Sequence, residues 1–331
     1  MTGHCNLSAV RPTLFSLLCL FSLSCSSRID VEQFPAARHF TEDPRLATPS
    51  LLPQVELQLI GTGFNSTLEA FLFRGGRWFT SRGLTFPAVL VQHPRGLLLI
   101  DTGLGAEIDQ QFEDDMPWLL KPLMSYEKGT DAHTALGDAG LNPRSVKHIL
   151  LTHLHWDHAG GLESFPQAEV WFPQAGLEEA MALADDEAAY FRSQFDDETI
   201  RWRFHEFPDG PYENFSSSFD FFGDGSVVLV PMPGHTSASL GVFVNLSSGE
   251  RYLFSGDTTW SLEGFQRPSH KFWLSSWLVD QDRQLMELPI VQVFHLMQRY
   301  PQLHVVPSHD ANAQRHLPHL NAQGRTLKRT D

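Results

Sequence analysis

The sequence predicts a single layered α/β domain, and three observations carry that prediction. Short apolar runs of strand length recur from about Leu51 onward, helical stretches separate them, and several runs end on a histidine or an aspartate. In order the runs are "VELQLIG", "EAFLFRG", "AVLVQHPRGLLLIDTG", "VKHILLTH", "AEVWFP", "SVVLVPMPG", "LGVFVNLSSGERYLFSGD" and "LHVVPSHD". "HPRG" and "NLSSGE" read as hairpin turns, so their flanking runs are expected to pair antiparallel. Helices are expected over roughly 131–140, 174–193 and 279–299, the last carrying Leu285, Leu288, Val291, Phe294 and Leu296 at mixed three- and four-residue spacing. No internal repeat interrupts this order.

A chain of 331 residues with 42% hydrophobic residues has material for one large domain or two small ones. The formal net charge of -15, from 39 acidic and 24 basic residues, disfavours a long polyanionic partner, and no nucleic-acid role is expected. Cys5, Cys19 and Cys25 all lie in the first 25 residues, so any metal further along must be held by His, Asp or Glu. Leu14–Leu23, "LFSLLCLFSL", behind Arg11 is too short to span a bilayer and ends in small residues, so 1–25 reads as a secretory signal peptide. Cys25 at its end resembles the lipid-bearing residue of a bacterial lipoprotein, although Ser22 stands where leucine is usual; simple cleavage is the alternative. An uncleaved anchor or a misassigned start would leave the chemistry below intact. The expected location is the periplasm or the bacterial envelope, with residues 26–50 as a flexible tether and 51–331 as the folded domain.

The stretch "LTHLHWDHAGG" places His153, His155, Asp157 and His158 within six positions directly after an apolar strand. An extended segment aims His153, His155 and Asp157 to one side and His158 elsewhere, so one strand end can serve two neighbouring ions. Imidazole and carboxylate donors suit zinc, with iron or manganese as alternatives. His235 after "VVLVPMPG", Asp257 after "YLFSG" and His309 after "HVVPS" repeat the same arrangement, and strand ends are where α/β domains gather ligands. The remaining histidines lack this context and are read as structural.

The order H-x-H-x-D-H, His, Asp, His over roughly residues 55–312 resembles the metallo-β-lactamase superfamily. The resemblance implies a four-layer αββα sandwich and a centre of two divalent metals, with His153, His155 and His235 on the first, Asp157, His158 and His309 on the second, and Asp257 bridging. Asp101 in "LLLIDTG" matches the aspartate that buttresses a ligand histidine. The implied reaction is hydrolysis by a metal-bridging hydroxide, with Asp157 and Asp257 as the catalytic carboxylates and Asp157 moving the proton.

Within the superfamily the spans "THLHWDHAGGL", "PGHTSASL", "SGDTTW" and "PSHD" are most similar to N-acyl homoserine lactonases, which implies ring opening of a quorum-sensing lactone. Many of those carry a tyrosine where this chain has Trp260, and Trp156 and Trp260 are expected to collar the substrate. The apolar segment Phe112–Tyr126 reads either as an acyl-chain pocket, with Trp118 as a substrate contact, or as a homodimer interface. A class B β-lactamase is disfavoured by Asp257 and the lack of a later cysteine, and a glyoxalase II by the 22 residues that follow His309. A phosphodiesterase or promiscuous esterase is the runner-up. A non-catalytic metal-binding or partner-binding module is the alternative from another class.

Overall fold

A computed structural model describes residues 28–184 and 189–320. The signal-peptide and Cys25 readings lie outside the described residues. Two mixed β-sheets form the centre. The first contains β1 (Glu56–Leu68), β2 (Ser81–His93), β3 (Gly96–Ile100), β4 (Glu127–Lys128), β5 (Val146–Leu150), β6 (Glu169–Phe172) and β7 (Arg201–Phe204), in the order β4-β1-β2-β3-β5-β6-β7. The second contains β8 (Phe219–Asp220), β9 (Val227–Pro231), β10 (Leu240–Asn245), β11 (Arg251–Phe254) and β12 (Leu303–Val306), in the order β12-β11-β10-β9-β8.

Side-chain alternation along the strands builds the layers. Val89 and Val91 of β2 and Leu98 and Ile100 of β3 meet Leu229, Val242 and Phe254 between the sheets. Their neighbours Ala88, Leu90 and Leu99 face the helices that carry Leu136 and Ala180. On the outer face of the second sheet, Val228, Val230 and Phe243 pack against Ile290, Val293 and Leu296 of the helix Glu287–Arg299. Period-two burial on both sheets thus yields the helix–sheet–sheet–helix sandwich.

The "HPRG" turn is a two-residue connection with His93 opposite Gly96, and "NLSSGE" closes β10 onto β11 with Asn245 opposite Arg251. "EAFLFRG" is not a strand: β1 already runs to Leu68, and Glu69–Leu72 forms a helical turn with Ala70 and Leu72 buried. A short apolar run carries no period of its own, so pairing of the preceding residues decides it. The expected helix at 174–193 is two, Gln174–Leu183 and Arg192–Phe195. At 279–299 the helix starts only at Glu287, with Pro289 in its first turn, where a missing N–H costs nothing.

The expected tether over 26–50 is corrected for its described part. Ile29 donates its N–H to the Pro268 carbonyl at 2.9 Å, Thr41 donates to the Glu213 carbonyl at 2.6 Å, and Arg45 pairs with Asp220 at 2.6 Å. Ile29 and Ala37 are buried in the core beneath the helix Glu287–Arg299. Short 3-10 turns begun at Asp30 and Pro35 insert single apolar side chains, a pattern too brief to show periodicity.

Candidate metal centre

The seven sequence-nominated ligands come together at one edge of the sandwich, where the C-terminal ends of β5, β9, β11 and β12 converge. His153 and His155 leave β5 on extended backbone, and the chain then turns into the helix Trp156–Ala159. That turn places Asp157 and His158 in its first residues, so His158 swings back to the cluster instead of pointing away. Gly160 and Gly161 are needed for close approach, not for unusual dihedrals: a Cβ on Gly160 would lie 2.7 Å from the Gly103 carbonyl oxygen. Gly234 precedes His235 at φ 127°, with the backbone of Met286 where a side chain would be.

The donor atoms form three overlapping groups, His153/His155/His235, His153/His158/Asp257 and Asp157/His158/His309, all buried. His153 Nε2 and His235 Nε2 are 3.2 Å apart. The Asp257 carboxylate lies between the two sides, with Oδ2 at 2.9 Å from His309 Nε2 and 3.6 Å from His235 Nε2, and Oδ1 at 3.3 Å from His158 Nε2. Asp157 Oδ2 is 3.3 Å from His309 Nε2.

The outward ring nitrogens are held by acceptors. His158 Nδ1 donates to Asp101 Oδ2 at 2.8 Å, His235 Nδ1 to Asp280 Oδ1 at 2.7 Å, and His309 Nδ1 to the Thr85 carbonyl at 2.8 Å. Thr152 Oγ1 donates to Asp101 Oδ2 at 2.8 Å and accepts from His153 Nδ1 at 3.1 Å. Each of these rings therefore turns its Nε2 inward, the arrangement that outer partners impose on metal-binding histidine. Burial pushes His153 and His155 well below the usual histidine range, and burial with the nearby Lys271 charge lowers His235, so neutral imidazoles face one another. His158 and His309 shift upward despite burial: Asp101, Asp157 and Asp257 outweigh it for the first, and Asp257 leads for the second. Asp257 is held well below the carboxylate range against burial by His309 and His158. His158 Nε2 and Asp257 Oδ1 are buried without a hydrogen-bond partner. Facing lone pairs, two unpartnered donor atoms and a demand for positive charge fit divalent cations.

A model of the metallo-beta-lactamase superfamily matches residues 87–291, more than half of the chain and most of this site. The chain belongs to the metallo-beta-lactamase superfamily. It is 29% identical over 212 residues to an N-acyl homoserine lactonase, AttM, of Rhizobium johnstonii, covering 61% of this chain and 75% of that one. It is 30% identical over 239 residues to a probable metallo-hydrolase of Mycobacterium tuberculosis, covering 67% and 73%. Among solved structures, a Bacillus thuringiensis AiiA mutant with N-decanoyl-L-homoserine bound at its active site aligns with TM-score 0.61 at 17% identity, covering 79% and 96%. The protein is a metal-dependent hydrolase of this superfamily, related to N-acyl homoserine lactonases.

In this superfamily member the centre opens into a cavity of about 230 Å³. His155, Asp157, Asp257 and His309 reach it, and Phe71, Leu84, Phe86, Leu123, Leu274 and Leu278 supply most of its apolar wall. Trp156 lines it but is 5% exposed and stacks on Phe191 at 5.7 Å, so its larger part is core. Trp260 lines it too, with its Nε1–H donated to Asp257 Oδ2 at 2.8 Å. Trp118 does not: it is 77% exposed and outside the lining, which the same segment reaches through Pro122, Leu123, Met124 and Ser125 instead. Phe112 and Tyr126 instead pack on Trp156. Sequence reasoning missed Asp280, Lys271 and the wall helix Trp273–Val279. A lone loop aspartate and a lone lysine carry no spacing signal; Thr152 was at least inside the motif.

Proposed function

We propose that the protein opens the ring of N-acyl homoserine lactones at a two-metal centre. The observation that carries this reading is a largely apolar cavity whose polar end is the His/Asp cluster, a shape matched to an amphiphile with an acyl tail and a hydrolysable head. The relatives named as lactonases support it. Divalent metals, with zinc the best match to this donor set, would supply an activated water and a Lewis acid for the carbonyl oxygen.

The chain's own residues do the rest. His153, His155 and His235 would hold one ion, Asp157, His158 and His309 the other, and Asp257 is placed to bridge. Asp157, on the cavity surface, is placed to take the proton given up by the water that attacks the lactone carbonyl and to deliver it to the ring oxygen as the C–O bond breaks. Trp156, Phe86 and Leu278 exclude water from the acyl side. Among the described residues no Lys or Arg lines the cavity, which disfavours an anionic phosphodiester. A leader at 1–25 would deliver the enzyme to the envelope, where such signals pass.

The test is hydrolysis of a short-chain and a long-chain acyl homoserine lactone by zinc-loaded protein, beside Asp257→Ala and a generic phosphodiester. Lactone turnover lost in Asp257→Ala supports the reading. Phosphodiester turnover without lactone turnover would overturn the substrate and keep the metal centre.

A further inference from the structure

We propose that Lys271 is a positioning residue for the metal centre and for the apolar wall of its cavity, acting through Asp280 and Trp260. The inference rests on reading the cluster as a metal centre, and its deciding readouts, metal retention and the cobalt spectrum, do not depend on which substrate is cleaved.

Lys271 and Asp280 have completely buried side chains, and Lys271 Nζ donates to Asp280 Oδ1 at 2.6 Å. That same oxygen accepts the His235 Nδ1–H at 2.7 Å, while Asp280 Oδ2 has no partner. The carboxylate is therefore held by two donors at one oxygen, and without Lys271 only the histidine it should orient would hold it. On its other side the ammonium faces the Trp260 ring at 5.5 Å, and Trp260 Nε1–H donates to Asp257 Oδ2. One side chain thus supports both the orientation of His235 and the seat of the carboxylate placed to bridge. The circuit closes where Asp257 Oδ2 lies 3.6 Å from His235 Nε2.

The pair also ties down the cavity wall. Lys271 and Asp280 flank the helix Trp273–Val279, so their contact staples its two ends. Leu274, Leu278 and Val279 of that helix line the cavity. Beyond the staple, Gln281 donates its N–H to the His235 carbonyl at 3.1 Å and Asp282 to the Gly234 carbonyl at 2.8 Å, strapping the ligand loop itself. A buried ammonium is costly to desolvate, and methionine would fill the same volume without that cost. The charge, not the bulk, is what the site uses.

The experiment compares Lys271→Met, Asp280→Asn and the double variant in the full, zinc-loaded chain. Zinc per chain is read after dialysis against a fixed chelator concentration, the spectrum after cobalt substitution, and folding by thermal melts. Each single variant strands a buried charge and is expected to hold one of the two ions about tenfold or more weakly, the usual scale for losing an outer partner. The double variant strands no charge and keeps an amide oxygen for His235, so it is expected to lie nearer wild type than either single. For Lys271→Met, KM for a long-chain lactone should rise more than for a short-chain one. Full zinc retention and an unchanged cobalt spectrum in Lys271→Met would overturn the proposal. Equal losses in the single and double variants would make Lys271 a packing residue and overturn the route through Asp280. If Lys271→Met does not fold, Asp280→Asn against the double variant reads the same coupling. A wild-type chain that binds zinc but cleaves no lactone would count against the proposed substrate while leaving this comparison intact.

Discussion

Trp260 donates its indole N–H to Asp257 Oδ2 at 2.8 Å, so the aromatic residue three positions after Asp257 is tied to the carboxylate that lies between the two sides of the His/Asp cluster. The ring presents carbon to the cavity while its one donor is committed to Asp257. A neutral donor on a charged acceptor contributes about 1.5–3 kcal/mol. Trp260→Phe keeps an aromatic wall and removes that donor; the expected outcome is roughly tenfold weaker metal retention, with a smaller change in preference among lactones. Metal per chain after chelator dialysis, beside kinetics on two acyl lengths, checks it. Undiminished retention would mean the bond does not persist in the loaded protein.

Asp101 orients His158 from strained backbone. Its φ is 55°, a region that costs most residues energy but that asparagine tolerates, and its carboxylate takes Thr152 N, Thr152 Oγ1 and His158 Nδ1 within 2.8 Å. Asp101→Asn should therefore keep the fold and lose roughly 10–100-fold in metal affinity. Asp101→Ala should lose metal similarly and also melt lower, by about 1 kcal/mol or more of backbone strain. Paired melts and metal analyses separate the two effects; equal melting of both variants would remove the strain argument.

How much of this was legible depends on spacing. His153, His155, Asp157 and His158 announce themselves because four donors crowd one strand end, and His235, Asp257 and His309 because each follows an apolar strand. His158 does join a group apart from His153, His155 and His235, with Asp157 and His309, but the helix that begins at Trp156, not a continued extended period, is what carries it there. Lys271 and Asp280 were invisible: the contact that matters spans a helix and a buried slot, and neither residue belongs to a repeat. Residues 28–50 were misread as a tether because their anchoring uses isolated contacts, Ile29 to Pro268 and Arg45 to Asp220, which leave no period in the sequence.

Glu163 gives the fold a pH dependence of its own. It sits one turn beyond the ligand helix, and burial, reinforced by Glu107 and Asp131, pushes its carboxyl up to about 7. Both carboxylate oxygens are buried without a well-aligned partner, the backbone N–H groups of Glu163 and Glu107 only partly favouring the charged form. A raised carboxyl pKa means the folded chain binds the proton more tightly than the unfolded one. The neutral acid contributes fully below about 4.5, and that stability is lost as pH rises through about 7. Glu163→Gln should thus stabilise the fold at pH 8, by at most about 3 kcal/mol before solvent screening, and so melt higher there while changing little at pH 5. Melts of both proteins at pH 5, 6.5 and 8 decide it. A pH-independent difference would show that the carboxyl is not the titrating group.

The cavity wall separates two sequence readings of the apolar residues near the site. Trp118 is exposed and outside the lining, whereas Leu278 stands on the helix Trp273–Val279 opposite Phe86 and Trp156 in the same cavity. Removing buried apolar contact with a substrate tail weakens binding by about 0.8 kcal/mol per methylene left in water. Leu278→Ala is therefore expected to raise KM for a long-chain acyl homoserine lactone about tenfold, to leave a short-chain substrate within about twofold, and to keep its metal. Trp118→Ala should leave both substrates unchanged, because no part of the indole reaches the cavity. Steady-state kinetics of the two variants on the two substrates give four comparisons. A chain-length effect in Trp118→Ala but not in Leu278→Ala would place the acyl tail along Phe112–Tyr126 and outside this cavity.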